Sequence, residues 1–343
     1  MRAVVMREQG PPSVLKLEDW PVPVPGPEEA LVKVAAVGVS YHDIVERNGT
    51  YQRGVKLPMV MGYEVAGTVE RVGSAVQSLK PGDRVCCKPF QSCGRCRLCR
   101  NGMETACRQR RAVTGGYAEY VVIAEEALVK IPPAIDFKVA CMLGAATGVA
   151  LNAVRDVAKV RVGETVLVTG ASGGLGLPTI EIALASGATV LAHTRSEAKR
   201  AALAAAGAQH VVVAGEGEDF SKSVKAMTDD LGVDVVIDNV GSRVFAPAFR
   251  SLGVGGRYAF VGQLFREEIS INPAYIFFKR AQLLGVGSVR RDQLEDAVRL
   301  VAAGKVHPRV AAVFQLEQVV AAHTLVESGG AVDRKSTRLN SSH

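Results

Sequence analysis

The segment VLVTGASGGLG, from Val166 to Gly176, gives the clearest indication of the fold. It begins as an apolar strand and runs into a segment that we predict to be a helix over Pro178–Ser186. Glycine recurs every third residue, which permits a tight turn and lets backbone N–H groups approach a pyrophosphate at the start of the helix. The stretch therefore predicts a dinucleotide-binding loop, with contacts from Gly170, Ser172, Gly173, Gly174, Leu175 and Gly176.

Beyond this loop, buried strands alternate with helices. Apolar strands are predicted at Ala188–Thr194, His210–Gly215, Val233–Gly241, Gly256–Gly262 and Ala281–Gly287. Strands that are apolar throughout indicate a parallel sheet covered by helices on both faces. The chain before about residue 144 instead consists of short predicted strands between Gly- and Pro-rich turns. The fold class is thus α/β, a doubly wound parallel sheet joined to a β-rich N-terminal region.

The end of the second strand of this sheet indicates which cofactor is bound. Sites that prefer NAD usually carry Asp or Glu about 20 residues after the glycine loop, where the carboxylate binds the ribose hydroxyls. This chain has Thr194, Arg195 and Ser196 there, followed by Lys199. Cations and small hydroxyls suit a 2′-phosphate, so we predict NADP(H) in preference to NAD(H). In the alternative interpretation, Arg195 and Lys199 are ordinary solvated charges.

Four cysteines lie close together in the β-rich region. Cys93, Cys96, Cys99 and Cys107 follow the spacing C-x2-C-x2-C-x7-C. Four thiolates complete the tetrahedral coordination of zinc and leave no open position, so the pattern predicts one structural Zn²⁺. The other cysteines, at positions 86, 87 and 141, are interpreted as small packing residues.

Composition excludes several classes of protein. The chain has 343 residues, 48% hydrophobic and 22% charged, which is enough to bury the cores of about two domains. The net charge is +7, but basic and acidic residues are interspersed, so we expect neither nucleic acid nor a membrane as a partner. No apolar stretch reaches the ~18 residues of a membrane span, and the N-terminus lacks the pattern of a signal peptide. We therefore predict a cytoplasmic location.

These motifs together resemble the medium-chain dehydrogenase/reductase superfamily, often called zinc-type alcohol dehydrogenases. The resemblance rests on the four cysteines, the segment GYEVAGTVERVG (Gly62–Gly73), the pair Thr147-Gly148 and the glycine loop. It implies a GroES-like catalytic domain over residues 1–144 with a zinc lobe at about 86–110, a Rossmann domain over 145–288, and a return to the first domain over 289–332.

Residues 333–343, DRKSTRLNSSH, are interpreted as a non-native tail; the alternative is a genuine polar terminus.

The chain departs from this superfamily at the catalytic zinc. Zinc-using members supply Cys from a segment like GVSYHD, His from a G-H-E motif, and Cys or Asp shortly before the Thr-Gly pair. The corresponding positions here hold Ser40, Tyr63 and Leu143, which do not form a usual zinc site. Within the superfamily, the chain looks closest to the acryloyl-CoA reductase and quinone-reductase-like branches. We therefore predict zinc-independent hydride transfer to an acceptor that is already polarised: an enone, an enoyl thioester or a quinone.

Candidate proton donors follow from the same segments. His42 and Tyr63 are the first candidates, with Tyr41 and Asp43 beside them, because an imidazole with a pKa near 6.5 suits proton donation. In the structural interpretation, His42 and Asp43 only hold the loop and Tyr63 only fills the former zinc pocket. Two other functions stay open: an alcohol or aldehyde dehydrogenase with a zinc site rebuilt from His42, Asp43 and Glu64, and a protein that binds NADPH without catalysis.

Strand ends supply the remaining cofactor contacts. Open parallel sheets bind ligands at the carboxyl ends of their strands, which here carry Asn239, Val240, Gly241, Val261 and Gly262. The resemblance adds Thr147, near the nicotinamide. The predicted last strand leaves an exposed sheet edge that can pair about a two-fold axis. We expect a homodimer or homotetramer that acts on a small-molecule substrate.

Overall fold

The chain divides into two units. A computed structural model describes residues 1–50, 55–263 and 267–328, and the backbone of residues 335–338. Unit 1 comprises Met1–Gly148, Ser288–Ala303 and Pro308–His343, and unit 2 comprises Val149–Gly287 and Gly304–His307. The chain thus leaves unit 1, builds unit 2 almost without interruption, and returns.

The secondary structure of the described residues is mixed. In chain order, the strands are β1 Arg2–Met6, β2 Leu15–Asp19, β3 Glu29–Val39, β4 Met59–Val60, β5 Glu64–Val72, β6 Arg84–Cys87, β7 Phe90–Gln91, β8 Arg111–Ala112, β9 Tyr120–Ala124, β10 Leu128–Lys130, β11 Thr165–Thr169, β12 Thr189–Thr194, β13 His210–Val213, β14 Val233–Asp238, β15 Leu252–Phe260, β16 Gln282–Gly285, β17 Val313–Phe314 and β18 Lys335–Arg338. The α-helices are α1 Tyr41–Arg47, α2 Arg97–Arg100, α3 Phe137–Ala140, α4 Val149–Leu151, α5 Gly176–Ala185, α6 Arg200–Ala205, α7 Ser221–Ala226, α8 Ser242–Ser251, α9 Pro273–Lys279, α10 Arg291–Ala302 and α11 Val319–Glu327. No helix in these ranges is long and apolar enough to cross a membrane.

Unit 1 is organised around the long strand β3. This strand pairs antiparallel with β5, β9 and β18, and the sheet runs in the order β10-β6-β5-β3-β18-β17. Valines at 32, 34 and 37 of β3 pack in one buried cluster with Val65 of β5 and Ile123 of β9. β-Branched side chains pack well on a pleated surface, so this Val-rich stretch forms a strand. The sheet holds α1 directly after the end of β3.

The C-terminal strand β18 differs from the expectation for residues 333–343. We expected no place for this polar segment in the fold, but the backbone of Lys335–Arg338 pairs antiparallel with β3 and parallel with β17. Residues 333, 334 and 339–343 lie outside the described residues. Ladder hydrogen bonds come from the backbone, so a segment without apolar alternation can still complete a sheet edge.

Unit 2 contains the predicted doubly wound sheet. Six strands, all parallel, run in the order β13-β12-β11-β14-β15-β16, which confirms the predicted fold class. Leu167, Leu191 and Val236 from three neighbouring strands pack with Phe245 and Phe249 of α8. The helix predicted over Pro178–Ser186 begins two residues earlier, at Gly176. Because all strands are parallel, their carboxyl ends meet at one edge of the sheet.

Candidate active site and metal centre

His42 and Tyr63 form a hydrogen-bonded pair in unit 1. His42 is the second residue of α1, and Tyr63 immediately precedes β5. The phenol oxygen of Tyr63 is hydrogen-bonded to Nδ1 of His42, and the ring centroids lie 4.8 Å apart in an edge-to-face arrangement. Tyr63 is buried and His42 half-buried. Burial raises the pKa of Tyr63 well above its usual value, so the phenol keeps its proton at neutral pH.

Asp43 and Tyr41 have different surroundings from this pair. Both the backbone N–H and the hydroxyl of Ser40 donate to Oδ2 of Asp43, at 2.7 and 2.8 Å. This reciprocal arrangement is a capping box, which satisfies backbone donors at the start of α1. The Tyr41 side chain is 44% exposed. Asp43 therefore orients the segment that carries His42, while Tyr41 faces outward.

The positions of the superfamily's catalytic zinc ligands carry no metal-binding set. The Ser40 hydroxyl is bonded to Asp43, and Tyr63 is bonded to His42. Leu143 is fully buried in a π-helical turn, Leu143–Gly148. Among the described residues, no group of three His, Cys, Asp or Glu side chains converges here in the manner of a metal site. A site rebuilt from His42, Asp43 and Glu64 would require these side chains to rearrange.

The four predicted cysteines converge on one point. Their sulfur atoms all lie within 4.8 Å of one another, and four of the Sγ–Sγ distances are 3.5, 3.6, 3.9 and 3.9 Å. A tetrahedron with Zn–S bonds of about 2.3 Å has edges of about 3.8 Å, whereas a disulfide is about 2.05 Å long. The geometry of Cys93, Cys96, Cys99 and Cys107 therefore fits a four-coordinate metal ion and no disulfide.

Backbone groups prepare this cluster for a cation. Hydrogen bonds from the backbone of Arg95 and Cys96 lower the pKa of Cys93 to about 6. A backbone hydrogen bond from Cys99 likewise lowers the pKa of Cys96. Metal ligation requires thiolates, so these donors favour the ionised form of Cys93 and Cys96, whereas burial raises the pKa of Cys99 to about 12. The other cysteines are buried free thiols, and burial raises the pKa of Cys87 to about 12.

The glycine loop has the geometry of a pyrophosphate site. Gly170 follows β11 with φ of +57°, a conformation that favours glycine. A Cβ atom on Gly176 would lie 2.2 Å from the carbonyl oxygen of Ala171, so only glycine lets the helix α5 start this close to the strand. The remaining predicted contacts in this loop are Ser172, Gly173, Gly174 and Leu175. The backbone therefore offers the start of α5 to an anion.

The end of β12 carries the residues that we predicted for the 2′-phosphate. Thr194 is buried and its hydroxyl accepts a hydrogen bond of 3.3 Å from the N–H of Ser196. Arg195 is exposed, and its guanidinium lies 3.5 Å from a carboxylate oxygen of Glu216. Burial and the nearby Arg195 lower the pKa of Lys199. Two cations and two hydroxyl-bearing residues thus cluster at this strand end.

A buried carboxylate that sequence reasoning missed connects three strand ends. Asp238, the last residue of β14, accepts hydrogen bonds from the hydroxyls of Thr169 at 2.5 Å and Tyr258 at 2.8 Å. It also accepts from the backbone N–H groups of Val240 and Gly241, and its carbonyl accepts from those of Val261 and Gly262. The Asn239 amide donates to the carbonyl of Thr169. Asp238 thereby fixes the strand-end residues that we predicted to contact the cofactor.

Thr147 is the predicted nicotinamide contact in unit 1. It lies in the same π-helical turn as Leu143, and single π-helical turns often occur at functional sites. The residue is fully buried, and its hydroxyl has no hydrogen-bond partner among the described residues. An orphaned buried hydroxyl costs stability unless a ligand satisfies it. Its chemistry therefore fits a bound group with polar atoms, as the cofactor's carboxamide has.

A second buried polar cluster in unit 1 also escaped the sequence analysis. Arg47 is fully buried, with Nη2 3.0 Å from the Glu327 carboxylate and Nη1 3.4 Å from Nδ1 of His323. The Nε2 of His323 lies 3.1 Å from the Tyr117 hydroxyl, and burial lowers the pKa of His323 to about 3. These contacts tie α1 to α11. Apart from a histidine within the largely apolar helix α11, no local sequence signal indicates them.

The fold and these sites together define an NAD(P)-dependent oxidoreductase. The family described as alcohol dehydrogenase GroES-like domain matches residues 26–133, and the zinc-binding dehydrogenase family matches residues 174–303. An acryloyl-coenzyme A reductase from Sulfurisphaera tokodaii is 33% identical, over 97% of this chain and 98% of that protein. A quinone oxidoreductase from Rattus norvegicus is 34% identical, over 96% of this chain and 95% of that protein. The chain belongs to the medium-chain dehydrogenase/reductase superfamily, as the sequence motifs predicted.

Solved structures have the same fold. The crystal structure of AibC is 38% identical and has a TM-score of 0.95, covering 99% of this chain and 96% of that one. A zinc-binding dehydrogenase from Sinorhizobium meliloti, solved with NADP bound, is 28% identical with a TM-score of 0.86 and covers 98% of both chains. The coverage supports the fold over the whole chain.

Proposed function

We propose that this protein uses NADPH to reduce a carbon–carbon double bond conjugated to a carbonyl or thioester, or a quinone, without a catalytic zinc ion. The observation that carries the proposal is the hydrogen bond between His42 and Tyr63. By the resemblance, Tyr63 occupies a position where zinc-using members place a metal ligand. Ser40 caps a helix and Leu143 is buried, so neither supplies a ligand. The names of the relatives, acryloyl-coenzyme A reductase and quinone oxidoreductase, point to the same acceptors.

Without the usual ligands of a catalytic zinc ion, the range of suitable substrates is narrower. A simple ketone needs an electrophile on its oxygen before it accepts a hydride, and zinc supplies that electrophile in alcohol dehydrogenases. An enone or enoyl thioester is polarised by its own carbonyl, so hydrogen-bond donors suffice. When bound, NADPH supplies the hydride that adds to the β carbon.

The chain's own residues then stabilise the negative charge that hydride transfer leaves on the substrate. Addition at the β carbon leaves an enolate, and a neutral phenol or imidazole N–H can donate a hydrogen bond to its oxygen. Protonation of the α carbon completes the reaction, and the Tyr63–His42 hydrogen bond gives one of these groups a path for replacing its proton. Asp43 acts indirectly, because it orients the start of α1 through Ser40.

The cofactor and the zinc ion are finer parts of the proposal. Arg195 and Lys199 support NADPH over NADH because both are cations near the strand end that binds the ribose. The four cysteines would hold one zinc ion in a closed, structural site. Reduced thiols in such a cluster suit a reducing compartment, which supports a cytoplasmic location.

Steady-state kinetics and binding together test the function. We expect NADPH oxidation with enones, enoyl thioesters or quinones, and slower turnover, by about 10²- to 10⁴-fold for loss of a proton donor, in Tyr63→Phe and His42→Ala. The dissociation constant for NADPH should stay within about two-fold of wild type, because neither residue belongs to the cofactor loop. Tyr41→Phe is the matched control, since this exposed phenol should be dispensable.

Other outcomes favour the other functions. Alcohol oxidation together with a second tightly bound zinc ion per chain would contradict the proposal and indicate an alcohol dehydrogenase. NADPH binding without oxidation across the acceptor panel would indicate a protein that binds the cofactor only. Unchanged turnover in both variants would remove His42 and Tyr63 as proton donors.

A further inference from the structure

One carboxylate links two guanidinium groups at the cofactor edge of unit 2. Oε1 of Glu216 lies 2.7 Å from Nη1 of Arg243, and Oε2 of Glu216 lies 3.5 Å from Nη1 of Arg195. Arg243 also lies 3.0 Å from Oε1 of Glu267, so only part of its charge is compensated by Glu216. The Glu216 side chain is 51% exposed, so a ligand from solution can reach the cluster. Sequence reasoning had identified Arg195 but neither of its two companions. The arrangement is therefore a new feature of the predicted cofactor site.

The three residues come from three strand ends. Arg195 directly follows β12, Glu216 lies in the loop after β13, and Arg243 is the second residue of α8, which follows β14. The strands are parallel, so these ends share the edge at which open α/β sheets bind ligands. The cluster thus lies beside the residues that we predicted for the ribose.

The chemistry of the cluster is that of an anion site. Guanidinium groups bind carboxylates and phosphates through the same paired N–H donors, so a carboxylate between two arginines marks a place that a phosphate can take. Lys199 is a further basic group close to Arg195; burial, and to a smaller extent the charge of Arg195, lower its pKa. A phosphate carries more charge than one carboxylate and gains more from these cations.

We propose that Glu216 is a specificity-determining residue of the cofactor site: its carboxylate competes with the 2′-phosphate of NADPH for Arg195 and Arg243. The inference rests on the proposed use of NADPH and names the residues that set the preference over NADH. Binding of the phosphate breaks both ion pairs of Glu216 and leaves two negative groups close together. Glu216 therefore weakens NADPH binding, whereas Arg243 strengthens it.

Glu216 could also have the opposite role and favour NADH. A carboxylate at this sheet edge can accept hydrogen bonds from the ribose hydroxyls of NADH, as Asp or Glu does in NAD-specific sites. In that role Glu216 would favour NADH. Replacement of the carboxylate by an amide of the same size separates the two roles. The first role predicts a change in the affinity for NADPH, and the second predicts a change in the affinity for NADH.

Isothermal titration calorimetry on the purified full chain tests the proposal. We expect Glu216→Gln to bind NADPH and 2′,5′-ADP about three- to ten-fold more tightly and NADH within about two-fold of wild type. Arg243→Gln should weaken the two phosphate-bearing ligands by a similar factor. Arg250→Gln is the control, because Arg250 lies on the same helix in an exposed ion pair with Asp219 and should leave all affinities unchanged.

Three results would overturn the proposal. The first is weaker NADH binding by Glu216→Gln with unchanged NADPH binding, and the second is wild-type NADPH affinity in Arg243→Gln. The third is an equal gain for 3′,5′-ADP, the fragment of coenzyme A, since this would indicate attraction to any anion. A protein that binds both cofactors but reduces no acceptor would refute the proposed function while leaving these affinity ratios measurable.

Discussion

Glu46 is a buried carboxyl group beside the segment that carries His42. Burial, with a smaller contribution from Asp43, raises the pKa of Glu46 from 4.5 to about 7. The folded protein therefore holds a proton that the unfolded chain releases between these two pH values. Ionisation of Glu46 opposes folding, so its contribution to the free energy of unfolding falls as the pH rises through this range. Below pH 4.5 both states are protonated and the penalty is absent.

We predict that Glu46→Gln removes this pH-dependent penalty. The variant should gain stability over wild type as the pH rises from 5 to 8, by on the order of 2 kcal/mol, because the amide cannot ionise. Urea unfolding at several pH values measures the effect. Glu70→Gln, at an exposed position of β5, is the control. A difference between Glu46→Gln and wild type that does not change with pH would contradict the prediction.

Asp238 gives a second prediction for a single residue. Its Oδ1 accepts from Thr169, Val240 and Gly241 and its Oδ2 accepts from Tyr258, whereas an amide has only one accepting oxygen and would point N–H donors at the other partners. Asp238→Asn should lower the free energy of unfolding by about 1–3 kcal/mol and weaken NADPH binding, because it loosens the strand ends. Thermal unfolding and calorimetry measure both effects. Tyr258→Phe removes one of these donors, so it should lower the free energy of unfolding by less than Asp238→Asn does. An equal loss in both variants would contradict a network that depends on the carboxylate.

At the scale of elements, a buried lysine anchors the four-cysteine lobe. Nζ of Lys88 lies 2.7 Å from carboxylate oxygens of both Glu104 and Glu126, and its side chain is only 2% exposed. Glu104 begins the short 3-10 helix that leads directly into Cys107. Glu104 also accepts from the backbone N–H of Arg291, at the start of α10. The lobe is therefore held to the rest of unit 1 by an ion cluster whose lysine is buried and whose carboxylates are partly exposed.

The metal content of this lobe is directly measurable. We expect elemental mass spectrometry of chelator-washed protein to find about one zinc ion per chain, and none in Cys107→Ser, because three thiolates no longer close the site. The loss should also lower the unfolding temperature, since binding energy of a structural metal contributes to folding. Two zinc ions per chain, or full zinc retention by the variant, would contradict a single closed site.

Lys88→Met tests how the lobe is anchored. Two carboxylates would stay partly buried without their cation, so we expect a loss of about 3–5 kcal/mol of stability and faster zinc release to a colorimetric chelator. Lys130→Met is the matched control, because the Lys130–Asp83 pair is 53% exposed at the lysine and should contribute about 0–1 kcal/mol. Equal losses of stability in both variants would show that the buried ion pairs of Lys88 contribute no more than an exposed pair.

Local spacing decided which elements the sequence could predict. The glycine loop and the cysteines lie within short segments whose spacing is itself the signal, and the apolar strands were recognisable from composition. The ion cluster of Lys88 joins residues 16 and 38 positions away, and Arg47 meets His323 across 276 positions. Such contacts depend on the finished topology. The strand β18 could not be predicted for another reason, because its pairing uses backbone groups that any sequence has.

At the scale of the whole molecule, we predict that the edge of the unit 2 sheet mediates self-association. β16 is the last strand of the sheet among the described residues, and Leu283 on it is 38% exposed. The preceding helix α9 exposes Tyr275, Phe277 and Phe278 by 61–74%. Two copies related by a two-fold axis can pair their β16 strands antiparallel and cover these aromatic rings together. β16 itself carries no charge that would oppose this pairing.

We expect light scattering to give a mass of at least twice the 36.2 kDa of one chain. Leu283→Lys should shift the protein towards the monomer, because a charge at the strand edge disfavours pairing. Val162→Lys, at an apolar position that is 85% exposed outside this surface, should leave the mass unchanged. A monomeric wild-type protein, or a Leu283→Lys protein of unchanged mass, would contradict pairing through β16.

The contact between Arg47 and α11 has a consequence for the order of events during translation. Unit 2 is nearly continuous in the chain, so its sheet can assemble once residue 287 has left the ribosome. The helix α1, with His42, is made much earlier but obtains its buried partners only when residues 323 and 327 emerge. Unit 2 can thus fold while α1 of unit 1 still lacks these contacts. If the proposed function holds, the predicted dinucleotide loop of a nascent chain would be formed before the proposed proton donors are held in place.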